Sequence, residues 1–254
     1  MQAKARNSTP RILLAHLVKF QQILMVIMSS FLVVPSWNTL QEAGFGRYSE
    51  KTRICSLYVD LKAFGVLKPL VLRALSVGYV GRLEEEKGFR QFVEAVPLVR
   101  AVKPEIRFVV CGGGSLQSLL KEQKLDREIE FLGLVPNEKM PAVMNELKLL
   151  VVPSFTEGFG RVILEAMACG TPVLARGVEG VKALISEGKT GFLVDRNDSP
   201  SLARKIVSLM NSPESLQSVS SEARKYVEEA FTSDHRADSW RRVLLEAHVW
   251  GQDN

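Results

Sequence analysis

Residues 149–175 read LLVVPSFTEGFGRVILEAMACGTPVLA. The continuous apolar run from Leu149 to Pro153 has the length and composition of a strand buried on both faces. Ser154 to Gly160 follows as a loop with two glycines. Gly160 to Cys169 then carries apolar residues at helical spacing, and Gly170 suits a left-handed cap at the helix end. Pro172 to Ala175 begins another strand. Strand, loop, helix and strand in this order make a βαβ unit, which implies a parallel sheet.

The pattern repeats on both sides of this segment. Val77 to Val80 is a strand, and Phe89, Phe92, Val93, Val96 and Val99 recur at helical spacing. Pro97 lies inside that helix and is expected to kink or shorten it. Ile106 to Cys111 is a second buried strand. The turn Gly112-Gly113-Gly114-Ser115 leads into a helix carrying Leu116, Leu119 and Leu120. Ile129 to Leu132 reads as a strand, Pro136 to Leu147 as helical, Val181 to Ile185 as a short helix and Gly191 to Val194 as a short strand. From Ser201 the chain reads as helical to its end. The expected fold class is therefore α/β, a Rossmann-like parallel sheet with helices on both faces. Such sheets bind ligands at the carboxyl ends of their strands. The loops expected there are Gly81-Arg82, Gly112 to Ser115, Gly133 to Pro136 and Ser154 to Gly160.

Composition narrows the function classes. The chain has 254 residues, a 46% hydrophobic fraction, 24% charged residues and a net charge of +5, an ordinary balance for one or two globular domains. The mild basic excess suits a phosphate-bearing ligand or an anionic membrane surface. No dense Lys/Arg block interleaved with aromatics points to nucleic acid. Cys55, Cys111 and Cys169 are widely spaced. They form no zinc pattern and read as reduced, buried thiols of a cytoplasmic protein, with contact at the inner membrane face as its peripheral option. The apolar run Ile23 to Pro35 follows Lys4, Arg6 and Arg11 as a signal peptide would. It lacks a small-residue cleavage site, however, and Val33-Val34-Pro35-Ser36 reads as a strand ending in a turn.

Three constellations carry chemistry. Arg82 and Lys87 follow a strand and are placed to set two cations on one diphosphate. Glu84, Glu85 and Glu86 lie between them and offer the alternative of local ion pairs. The glycines 112–114 let a backbone approach a phosphate. However, Gln117 stands where a dinucleotide fingerprint needs its last glycine, so a plain tight turn is the better reading and a dehydrogenase is excluded. Glu157 and Glu165, separated by seven residues, bring two carboxylates to one sheet edge, where they can accept hydrogen bonds from a polyhydroxyl ligand. The alternative is that Glu157 caps the helix and Glu165 lies on its exposed face.

Arg82 and Lys87, the triple-glycine turn, Phe131-Leu132-Gly133, Val151 to Ser154, EGFGRVILEAMACGTPVLA and Glu187 to Val194 together resemble the C-terminal, donor-binding domain of the family 4 (group 1) retaining glycosyltransferases of the two-domain GT-B type. The resemblance implies transfer of a sugar from a nucleotide-diphosphate sugar, uridine- or guanosine-linked, to an acceptor with retention of configuration and without a metal. Arg82 and Lys87 would neutralise the diphosphate and Glu157 would meet the sugar hydroxyls, the three forming the catalytic set. Glu165 would hold the ribose. Gly158, Phe159 and Gly160 would touch the sugar or distal phosphate, Gly81 and Gly113 would border the phosphates, and Gly133 and Val135 the base.

The same resemblance divides the chain into residues 1–67, a remnant of the N-terminal acceptor domain with its linker, residues 68–230, the nucleotide-sugar domain, and residues 231–254, a C-terminal helix. That helix would cross back towards the N-terminal domain and present Trp240, Val243, Leu244 and Ala247. Three departures stand out: Ser56-Leu57-Tyr58 replace the usual Pro-Asn-Gly hinge, Lys182-Ala183 replace a Pro-Glu pair, and Leu147-Lys148 replace Ala-Asp. The acceptor domain being mostly missing, three readings remain: an enzyme working with a separate acceptor-binding subunit or in a homodimer, a nucleotide-sugar-binding module, and an inactive truncated remnant.

Overall fold

The computed structural model describes residues 25, 26, 28, 29, 32–35, 37–55, 57–125, 127–158, 160–196 and 198–253. Most of the apolar run ahead of Leu32, together with Ser36, Ser56 and Phe159, lies outside the described residues. A short parallel pair comes first: β1 (Leu32–Val34), α1 (Trp37–Glu42) and β2 (Thr52–Ile54), with Leu32 opposite Thr52. The main unit follows as β3 (Ser76–Val80), α2 (Phe89–Arg100), β4 (Arg107–Cys111), α3 (Leu119–Glu122), β5 (Ile129–Gly133), α4 (Met140–Glu146), β6 (Leu149–Val152), α5 (Arg161–Ala168), β7 (Val173–Arg176), α6 (Glu179–Lys182) and β8 (Phe192–Val194). Three helices close the chain: α7 (Ser199–Met210), α8 (Pro213–Ala230) and α9 (Ser233–Asp253).

The main sheet has the order β5-β4-β3-β6-β7-β8, and all of its pairings are parallel. The chain builds outward from β3 through β4 to β5. It then returns past β3 and builds the other way from β6. Connections therefore diverge between β3 and β6, and a crevice opens at the carboxyl ends of those two strands.

Alternation along each strand feeds two cores. Val77, Tyr79, Phe108, Val110, Leu149, Val151 and Leu174 pack with α2, α7 and the start of α8. Val109, Leu150, Val152, Val173 and Ala175 pack with α4, α5, α6 and the end of α8. Both faces are covered by helices, as expected for an all-parallel sheet. Gly78 lies beneath α4, where a Cβ would come within 2.3 Å of the Leu147 side chain. Beneath the strands' amino ends, the buried Arg73 donates to the carbonyls of Lys68, Leu147 and Cys169 and to Thr171 Oγ1. Lys148 is buried with its ammonium on the Leu70 carbonyl at 2.7 Å.

Several expectations are corrected. α2 continues past Pro97 to Arg100, because Val96 and Val99 are fully buried on the sheet and hold the last turn there. The helix after the triple glycine begins only at Leu119; residues 115–118 form turns, and the Ser115 amide is engaged by a side chain instead of opening a helix. The short helix near Val181 lies earlier, at Glu179–Lys182. The helical end is three helices, interrupted at residues 211–212 and 231–232. Cys55, Cys111 and Cys169 are free and buried, as expected. α9 packs against β2, with Val243 buried and Glu246 paired with Arg53. Trp240 and Leu244, on the face that the resemblance would turn towards the N-terminal domain, are exposed. No helix among the described residues is long and apolar enough to cross a membrane.

Candidate active site

The rim of the crevice is a set of loops locked to one another through backbone. Gly81 N–H donates to Cys111 O and Leu83 N–H to Gly113 O, which ties the β3 loop to the β4 loop. Gly112 N–H donates to Gly133 O, which ties in the β5 loop, and Phe155 N–H donates to Glu86 O, which brings in the β6 loop. Glycine is required where these backbones meet. At Gly112, with φ +141°, a Cβ would lie 1.9 Å from Gly81 O; at Gly180 it would lie 1.8 Å from Glu157 O. The triple glycine thus serves the approach of loop to loop, a use that neither the phosphate reading nor the tight-turn reading had identified.

Within this rim lies a cleft of about 210 Å³ walled by Tyr79, Gly81, Lys87, Ser154, Glu157 and Arg161, among others. Lys87 ends a single 3-10 turn after β3, and the left-handed Gly88 follows it. Its Nζ is 2.9 Å from the Glu157 carboxylate, and both side chains are mostly buried. Tyr79, itself buried, donates its hydroxyl to Arg82 O at 2.5 Å and so fixes the β3 loop; burial pushes its phenol well above the ordinary range. Glu165 lies on the second turn of α5, 3.5 Å from Arg161, which is four residues earlier. Burial raises the Glu165 carboxyl above the usual range, and the Arg161 guanidinium pulls it partly back.

The structure therefore brings Gly81, Lys87 and Glu157 together at the switch point and sets Glu165 beside Arg161. Arg82 reaches outward to Glu86, so the local-pair alternative describes Arg82 as it stands. Glu84 accepts from both the amide and the hydroxyl of Ser115, which lowers the Glu84 pKa, and Glu85 pairs with Arg90. Gly113 packs beside the exposed Leu134, which Val135 follows in the β5 loop, and burial raises the pKa of the Cys111 thiol. Gly158 and Gly160 flank Phe159 in the loop before α5; Gly160 has φ +70° and caps the helix with its backbone. Glu157 therefore does not cap α5. Glu165 is largely buried rather than on an exposed face.

Tyr79 and Arg161 were not singled out from the sequence, and Glu84 was named only as a local ion-pair alternative, not as the acceptor for Ser115. Arg161 was recoverable, because it stands four residues before Glu165 at the start of a helix. No group of His, Cys, Asp or Glu among the described residues is arranged to hold a metal ion. A roomier hollow lies elsewhere, about 400 Å³ between α2 and α7, but its walls are mostly apolar and gather no opposed charges.

The sheet order, the crevice at its reversal and the loops around it are those of a Rossmann-like unit of a GT-B fold. The description of glycosyl transferases group 1 matches residues 72–226, and the chain belongs to that family. It is 37% identical over 153 residues to the D-inositol 3-phosphate glycosyltransferase of Corynebacterium efficiens, which covers 56% of this chain and 36% of that protein. The chain thus spans little more than a third of this relative. The fold superposes on Anabaena HepE in complex with UDP and glucose, with a TM-score of 0.73, 23% identity, and coverage of 85% of this chain and 63% of that one. It also superposes on sucrose-phosphate synthase of Thermosynechococcus elongatus, with a TM-score of 0.76, 24% identity, and coverage of 99% and 65%.

Proposed function

We propose that this chain binds a nucleotide-diphosphate sugar along the carboxyl edge between β3 and β6, and that the sugar is transferred with retention to an acceptor held by a further domain or subunit. The observation that carries the reading is the juxtaposition of Lys87 with Glu157 at the switch-point crevice. An ammonium suits a diphosphate, and a carboxylate beside it suits sugar hydroxyls. Glu165, on the second turn of α5, serves the ribose, and Arg82, on turning from Glu86, serves the second phosphate. Fixed positive charge at the departing diphosphate supports bond cleavage without a metal. The matching relative and structural neighbour, described as a glycosyltransferase and as a complex with UDP and glucose, support the donor class.

A cleft of about 210 Å³ is smaller than the roughly 300–1,000 Å³ of enclosing small-molecule sites. A nucleotide sugar would lie along it as an open edge. Transfer requires both substrates to be held together and dry, so the acceptor side is assigned to polypeptide outside residues 68–230. By itself the described part of the chain acts as the donor-holding module.

Calorimetric titration with UDP, GDP and their glucose and mannose conjugates tests the reading. The wild-type chain should bind one of these pairs. Lys87→Ala and Arg82→Ala should each weaken the sugar conjugate by about 1–3 kcal/mol, the usual loss for a charged hydrogen-bond partner. Unchanged affinity in both variants removes the assignment of the donor site.

A further inference from the structure

Around the candidate cleft, cations and carboxylates occupy one another. Lys87 Nζ is 2.9 Å from Glu157, and the two side chains are only 21% and 16% exposed. Arg161 faces Glu165, and Arg82 holds Glu86. The Lys87–Glu157 pair differs from the other two in that both of its members are largely covered and both wall the cleft. Its geometry is also held from outside. The Glu157 carbonyl rests on Gly180, where not even a methyl group fits, and the Lys87 turn is tied to the β6 loop through Glu86 O and the Phe155 amide. The Glu157 carboxylate therefore stands on Lys87 as a built-in anion.

An incoming diphosphate competes with that anion for the same ammonium. If it is bare, it leaves the Glu157 carboxylate beside a second negative charge, mostly buried and without a hydrogen-bond donor. An unpaired buried charge is costly. If the diphosphate carries a sugar, the sugar hydroxyls supply the donors that Glu157 loses. We infer that Glu157 selects the sugar-bearing nucleotide against the bare one: it guards Lys87 and yields it only to a ligand bringing both an anion and hydroxyl donors. After the sugar has left, Glu157 returns to Lys87 and favours release of the diphosphate. This inference rests on the donor-site reading above.

The test is calorimetry on the full chain as wild type, Glu157→Gln, Lys87→Gln and the double variant, with thermal melting to confirm that each is folded. The ligands are inorganic pyrophosphate, UDP, GDP, UDP-glucose and GDP-mannose. Glu157→Gln should bind pyrophosphate and the bare nucleotide on the order of tenfold more tightly than wild type. The sugar conjugate should gain nothing, so its advantage over the bare nucleotide falls. The gain should vanish in the double variant, because it runs through Lys87. Should Glu157→Gln not fold, Glu157→Asp, which draws the charge away from Lys87 by one methylene, should show a smaller gain in the same direction. Loss of affinity for bare and sugar-bearing ligands alike, or a gain that survives without Lys87, overturns the selection. Absence of all nucleotide binding in the wild type overturns the donor reading itself and is a different result.

Discussion

Arg73 shows how one residue can fasten a linker to a domain. Its guanidinium is 4% exposed and binds neutral oxygens: the carbonyls of Lys68, Leu147 and Cys169, Thr171 Oγ1 and Asn145 Oδ1. Burial lowers its pKa to about 10, which leaves it charged at neutral pH. Arg73→Met leaves these oxygens without their donor and should cost about 3 kcal/mol or more. Arg73→Lys should recover little of this, because one ammonium cannot span the fork's separate acceptors. Urea unfolding midpoints check both variants. Glu165 behaves oppositely. Its folded-state pKa is raised, so protonation favours the native state at acid pH, and that contribution is lost as pH rises through the folded pKa. Glu165→Gln should therefore melt higher than wild type at neutral pH, with the difference shrinking below the ordinary glutamate range. It should also weaken nucleotide-sugar binding, as befits a site that trades stability for function. Equal melting at every pH would refute the burial cost. At this scale the sequence placed Lys87, Glu157 and Glu165 at the carboxyl edge of the sheet, since residue type and loop position suffice for that. It did not expose the Lys87–Glu157 pairing, because no spacing rule joins residues seventy positions apart.

At the scale of elements, the strands were legible because both faces of the sheet are buried, and that burial writes short continuous apolar runs into the chain. Helix α5 was legible for a related reason: Ile163, Leu164 and Met167 bury one side and Gly170 stops it with φ +65°. α3 was not legible. Leu116, Leu119 and Leu120 have helical spacing, yet Leu116 packs from a turn and its amide is held by Leu83 O. Long-range loop pairing there overrides a short local pattern. The same lacing makes a prediction for the rim. Gly180→Ala sets a Cβ 1.8 Å from Glu157 O, so either α6 or the Glu157 loop must move. The variant should lose about 1–3 kcal/mol of stability, as overpacked sites do. It should also lose affinity for the sugar conjugate, since Glu157 moves with its loop. Full retention of both, measured by melting and calorimetry, would mean that the loop shifts at no cost and that its position is not fixed by α6.

Among the described residues the two sheets form separate packing groups, and α9 lies against the smaller one. The cores on the two faces of the main sheet draw on residues from Val59 to Phe231 and include none from α9. The contacts of α9 lie elsewhere: Glu246 with Arg53 on β2, and the Arg236 guanidinium over the Tyr58 ring at 5.0 Å. The main chain passes between the units at Val59, whose amide donates to Phe231 O. Ending the chain after Thr232 should therefore leave the unfolding of the main sheet within about 1 kcal/mol of wild type, because such distant surface changes rarely exceed that. Nucleotide-sugar affinity should also be kept, since every residue assigned to the donor lies between Gly81 and Glu165. The β1–β2 pair should lose protection from amide exchange. A two-stranded sheet has little independent stability, and α9 supplies much of its cover. If removal of α9 instead abolished donor binding or lowered the melting of the main sheet, the small unit would be coupled to the donor site through the Val59–Phe231 junction or the contact of α1 with α6, and the two units would act as one.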